Sequence, residues 1–151
     1  MIIKNILTYT LTFCVAFLSF AQKESKKIPQ DPEVVSGELS NGMNYYVRHN
    51  EKPEERVILR LVINAGSILE RDDQQGLAHF MEHMNFNGTE RFPKNEIVDY
   101  LQSIGVKFGN DLNAYTSFDE TVYFLPIPLD DPKNLEKGLD IMEDWAFNAT
   151  L

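Results

Sequence analysis

The sequence predicts an α+β fold, a mainly antiparallel sheet with helices packed on one face. Three observations carry that reading: an Asn41-Gly42 pair between two short runs, a β-branched run over Arg56 to Ala65, and later segments whose apolar residues recur at helical spacing. The predicted order is β-β-β-α-α-β-β-α, with hairpins and no regular β-α-β repeat.

Each element has a local cause. In Glu38-Leu39-Ser40-Asn41-Gly42-Met43-Asn44-Tyr45-Tyr46-Val47, Asn-Gly predicts a hairpin, because both central residues of the favoured two-residue turn need positive φ. Arg56 to Ala65 is rich in Val, Ile and Leu and ends at Gly66, which predicts a central strand, apolar on both faces. Gly76 to Phe86 has a helical pattern, and Lys94 to Ile104 puts Ile97, Leu101 and Ile104 on one helical stripe that stops at Gly105. Asn110 to Ser117 and Thr121 to Ile127 read as strands around Phe118-Asp119-Glu120, and Asn134 to Phe147 returns to helix through Leu135, Leu139, Met142 and Ala146. Tyr115, Phe118, Tyr123 and Trp145 read as packing residues, and Glu143 and Asp144 as a solvated helix face.

At 151 residues the chain suffices for one ordinary domain, and 43% hydrophobic and 25% charged residues are globular usages. Met1 to Asn5 carries one lysine, Ile6 to Phe20 is free of charge, and Ser19-Phe20-Ala21 closes the run. This is the pattern of a signal peptide over residues 1–21, with an uncleaved anchor as the alternative, since a membrane span needs roughly twenty apolar residues. Residues 22–32, polar and holding Pro29, read as a linker, and residues 33–151 as the folded part. Cleavage after Ala21 removes Cys14, the single cysteine, so the exported protein forms no disulfide and relies on packing or metal. The net charge of −9 argues against nucleic acid or an anionic membrane surface as partner.

The chemistry concentrates in His79-Phe80-Met81-Glu82-His83. Residues four apart on a helix lie one turn above each other, so His79 and His83 can offer two imidazoles to one ion. Glu82 borders that face and can reach a water without being a ligand. Zinc on two histidines and a carboxylate lowers the pKa of water towards neutrality, and a nearby carboxylate can take the proton as the water attacks a peptide carbonyl. The pattern alone leaves a second reading open, two histidines on a solvated helix face. A helix directly after a buried strand favours the metal.

The segment Gly76-Leu77-Ala78-His79-Phe80-Met81-Glu82-His83-Met84-Asn85-Phe86-Asn87-Gly88-Thr89 resembles the active-site helix of the pitrilysin family of zinc metallopeptidases, which includes insulin-degrading enzyme and the mitochondrial processing peptidases. Leu39-Ser40-Asn41-Gly42-Met43 is similar to that family's first hairpin, and Asn113-Ala114-Tyr115-Thr116-Ser117 with Thr121-Val122-Tyr123 to its substrate-binding edge strand. The resemblance spans about residues 33 to 151. It implies a zinc metalloendopeptidase, periplasmic or secreted, with His79 and His83 as zinc ligands and Glu82 as general base. It further implies that substrate peptides add as a strand beside Asn113 and Ala114.

The resemblance also implies a third ligand, a glutamate about seventy to eighty residues beyond His83 and so past Leu151. On that reading the sequence is the N-terminal part of a metallopeptidase domain, and activity requires further C-terminal domains or a partner subunit. A non-catalytic, peptide-binding subunit of the same family is the alternative. Such partners tend to lack the motif, whereas both histidines and Glu82 are present here.

Overall fold

A computed structural model describes residues 28–107, 109 and 113–151. The signal segment, most of the linker, and Asn110 to Leu112 of one expected strand lie outside the described residues. The chain divides into two compact units, one within residues 1–50 and the other Glu51–Leu151.

The first unit is a hairpin of β1 (Val34–Glu38) and β2 (Asn44–Arg48), antiparallel with Glu38 opposite Asn44. Its turn differs from the expected two-residue form. Leu39 N–H donates to Met43 O at 2.8 Å and Gly42 N–H to Leu39 O at 2.9 Å. Only Gly42 takes a positive φ, +85°. This is a three-residue loop with one left-handed residue, so glycine alone meets the steric demand. Asn41 acts through its side chain, whose Oδ1 accepts from Met43 N–H at 3.1 Å.

The second unit is built on a three-stranded antiparallel sheet of β3 (Arg56–Ile63), β4 (Asn113–Thr116) and β5 (Thr121–Pro128), in the order β3-β5-β4. Its helices are α1 (Leu77–Asn87), α2 (Glu96–Ser103) and α3 (Pro132–Phe147). The fold is α+β, in the order the sequence predicts.

Register places Val57, Leu59, Leu61 and Ile63 of β3 on the same face as Ile127, Leu125, Tyr123 and Thr121 of β5. These residues share a core with Phe92, Ile97, Leu101, Val106, Ile141 and Trp145. Ile97, Leu101, Leu125, Ile127 and Ile141 are fully buried; each such side chain stabilises the fold by roughly 1.5–3 kcal/mol. The helices therefore cover one face of the sheet, as expected.

The other face corrects the reading of β3. It is an edge strand among the described residues, half-buried on one side only, with Ile58 and Val62 about half exposed on the other. The central strand is β5, which carries Pro126 and Pro128. Pairing with β4 stops at Phe124, so at those prolines β5 has a partner on the β3 side alone and is edge-like on the other, the setting in which a strand tolerates proline. The same alternation corrects Tyr115 and Phe118. Tyr115 pairs with Val122 on the face away from the helices and Phe118 lies in the connection between strands; they are 42% and 75% exposed, whereas Tyr123 and Trp145 are buried as expected.

Helix α3 begins two residues before the expected Asn134. Asp131 caps it, Oδ1 accepting from Lys133 N–H at 2.9 Å, and Pro132 occupies the first turn. Proline's fixed φ suits that position and its absent N–H costs nothing there.

Candidate active site on helix α1

Three separate sets of contacts hold α1 where the chemistry needs it. At its start Gly76 has φ +90°, a left-handed conformation that glycine enters without a Cβ clash. The carboxylate of Glu70 then accepts from Gly76 N–H and from Ala78 N–H, both at 2.8 Å. These amides, Ala78 foremost, hold the Glu70 carboxyl below its usual range, and the negative charge suits the positive end of the helix dipole.

At its far end Asn85 is buried. Its amide donates to Tyr123 Oη at 2.8 Å and to Trp145 O at 3.2 Å, while Trp145 Nε1–H donates to Asn85 O at 3.0 Å. Phe86 meets Trp145 edge-on at 5.2 Å between ring centres. Burial pushes the Tyr123 hydroxyl up to about 12 against the lowering effect of the Asn85 bond, with the Glu82 charge adding to the rise. Tyr123 stays a neutral phenol at any working pH.

Beyond α1, the segment Gly88 to Pro93 is tied to α3 by Asp144. This corrects the expectation of a solvated face there. Asp144 is 0% exposed, and its carboxylate accepts from Thr89 Oγ1 at 2.7 Å, Arg91 N–H at 3.0 Å, Arg91 Nε at 2.7 Å and Asn148 Nδ2 at 2.9 Å. Burial alone raises its carboxyl, but the Asn148, Thr89 and Arg91 donors outweigh it and the net shift is downward. Glu143 is exposed, as expected, and pairs with Arg91, which also reaches Asp140 at 2.9 Å. Main-chain bonds from Glu90 to Asn148 and from Thr150 to Gly88 complete the strap.

Within this frame, His79 and His83 stand exposed on α1 with their Nε2 atoms 3.1 Å apart. Two imidazole nitrogens at about 2.0–2.1 Å from a tetrahedral zinc lie roughly 3.3 Å from each other, so the pair fits as two ligands with a slight opening. No cluster of three His, Cys, Asp or Glu side chains able to hold a metal occurs among the described residues. Glu82, beside them on the helix, is buried, 6% exposed, and its Oε2 accepts from Thr116 Oγ1 of β4 at 3.0 Å.

Strand β4 packs against α1 and pairs only with β5 among the described residues, which leaves its second edge open. Asn113 is exposed and Ala114 half-buried. Asn113 Oδ1 accepts from Ala114 N–H at 2.9 Å, so a side-chain acceptor occupies that amide. The structure thus brings four candidate elements into one region: two imidazoles, a buried carboxylate, and an edge strand beside them.

Four residues at this site escaped sequence reasoning. Glu70, Asn85, Thr116 and Asp144 act through partners 4 to 60 positions away, and no local spacing encodes the distant pairs. The cap at Asp131 was legible in Asp131-Pro132.

Residues 45–151 match the family model described as "Insulinase (Peptidase family M16)". The chain is 44% identical over 136 residues to a "Probable zinc protease PqqL" of Haemophilus influenzae, covering 90% of this chain and 15% of that protein. It is 39% identical over 149 residues to the Escherichia coli protein of the same description, covering 99% of this chain and 16% of that one. A solved structure of the first half of the periplasmic protease PqqL from Escherichia coli superposes with a TM-score of 0.78 at 42% identity, covering 82% of this chain and 26% of that one. The chain therefore spans about one sixth of the length of these two curated relatives. A family match over residues 45–151, the inverted His79-x-x-Glu82-His83 order on α1 and a sheet that superposes on a solved relative agree, and the chain belongs to the insulinase family, peptidase family M16.

Proposed function

We propose that the protein is a zinc-dependent metalloendopeptidase whose peptide-cleaving site is begun by residues of this chain. The observation that carries the reading is the pairing of two exposed imidazoles, Nε2 atoms 3.1 Å apart, with a buried carboxylate on the same helix. Zinc, when bound, supplies Lewis-acid polarisation of a peptide carbonyl and makes water acidic enough to attack at neutral pH. His79 and His83 hold it. The third ligand is a glutamate contributed from outside residues 1–151, and further domains or a partner subunit close the site.

Glu82 is the general base. Its Oε2 is engaged by Thr116, which leaves Oε1 to accept the proton of the attacking water and later return it to the departing amine. A substrate peptide adds to the open edge of β4 and displaces the side chain of Asn113 from Ala114 N–H, so that the amide serves the peptide carbonyl. The names of relatives as zinc proteases, one of them periplasmic, support this reading and export behind a cleaved signal. No described helix is long and apolar enough to cross a membrane.

The test is a set of single substitutions in the full-length protein. Glu82→Gln should abolish peptide hydrolysis while zinc stays bound, and His79→Ala or His83→Ala should lose metal and activity together. Hydrolysis at a near wild-type rate by Glu82→Gln would refute the assignment.

A further inference from the structure

We infer that Thr116 is a positioning residue for Glu82, so that the strand receiving the peptide also aims the base; this rests on the peptidase reading above. Glu82 faces inward from α1, with 6% of its surface exposed. A carboxylate so enclosed needs a donor, because burying an unpaired charge is strongly unfavourable. The donor is Thr116 Oγ1, at 3.0 Å, and a hydrogen bond to an ionised acceptor is among the stronger kinds.

The direction of the bond matters. A threonine hydroxyl fixes one carboxylate oxygen and leaves the charge in place, whereas a lysine or arginine there would neutralise the base. Thr116 engages Oε2 alone, and Glu82 loses rotational freedom. A glutamate left unheld samples several rotamers, and each unproductive one lowers the fraction of encounters with the carboxylate beside the water.

Thr116 is also placed by the strand that meets the substrate. In the β4–β5 register Ala114 lies opposite Tyr123 and Thr116 opposite Thr121, on the core-facing side of the sheet. Thr116 is thus two residues along the same strand and the same face from Ala114. Thr121 Oγ1 in turn donates to Ala65 O at 2.9 Å, which pins the β5 end opposite Thr116. A peptide that orders the edge of β4 at Ala114 stiffens the backbone that holds the Thr116 hydroxyl against Glu82, which links substrate docking to alignment of the base.

Two measurements test this. In the zinc-loaded full-length protein, Thr116→Val removes the hydroxyl at nearly constant shape; kcat should fall about 10–100-fold, as loss of such supporting partners does, with KM within about twofold and zinc content unchanged. Thr116→Ser should restore kcat to within a few-fold. In metal-free protein, Thr116→Val should lower Tm by several degrees, and should lower it far less in a Glu82→Met background, where the acceptor is absent. Wild-type kcat in Thr116→Val alongside an inactive Glu82→Gln overturns the positioning role and leaves the peptidase reading intact, as do additive Tm shifts. A full-length protein that binds zinc but hydrolyses no peptide overturns the peptidase reading and, with it, the positioning role.

Discussion

Replacing Asp144 by alanine tests what holds the segment after the candidate active-site helix. The carboxylate is 0% exposed and takes hydrogen bonds from the Thr89 hydroxyl, the Arg91 amide, Arg91 Nε and the Asn148 amide. Removing one partner of a buried charged network strands the others, at about 1–3 kcal/mol for each donor left without an acceptor. The Arg91 side chain is 39% exposed and rehydrates, so its share is discounted. Thr89, 1% exposed, and the part-buried Arg91 amide carry the remainder, and the expected loss is about 3 kcal/mol. For a unit of roughly 100 residues this lowers Tm by about 12–24 °C. Thermal and urea melts followed by circular dichroism measure it, and hydrogen exchange at the Thr89 and Arg91 amides locates it. Arg91→Ala should cost less, because Asp144 keeps its donors from Thr89, the residue 91 amide and Asn148 while Asp140 and Glu143 are largely solvated. A loss below about 1 kcal/mol for Asp144→Ala would show that water replaces the carboxylate and that the strap is not what holds this segment.

Further outcomes follow from other contacts. The Glu70 carboxyl lies below its ordinary 4.5 and that of Asp144 below 3.8, so the stabilisation they give is complete above those values and is lost as pH falls through the depressed folded-state ones; Tm against pH should drop on that acid side, and Glu70→Gln should flatten the drop. Asp131→Ala removes the cap of α3 and should cost about 1 kcal/mol in a urea melt. Mass spectrometry of exported protein should find Gln22 as the first residue, and an intact Met1 would favour an uncleaved anchor.

The order of elements and the reading of the motif as a metal site were both legible in local pattern. Periodicity marks α2, which buries Ile97 and Leu101 of its expected stripe; α3 instead buries Asn134, Gly138, Ile141, Asp144 and Trp145 and leaves Leu139 exposed, and α1 buries Glu82 and Asn85. His79 and His83 meet because four positions make one turn, a local relation that no tertiary contact has to supply. Which strand is central was not legible there, since β3 and β5 are both apolar runs and the placement of β4 beside β5 is set by pairing over a distance. The exposure of Tyr115 and the burial of Asp144 followed from the same cause. Sequence gives a side chain its face on an element, but the neighbour that covers that face, whether helix, loop or water, comes from elsewhere in the chain. So too for Glu82, whose partner Thr116 lies 34 residues away: its identity as a carboxylate is local, and its orientation belongs to the fold.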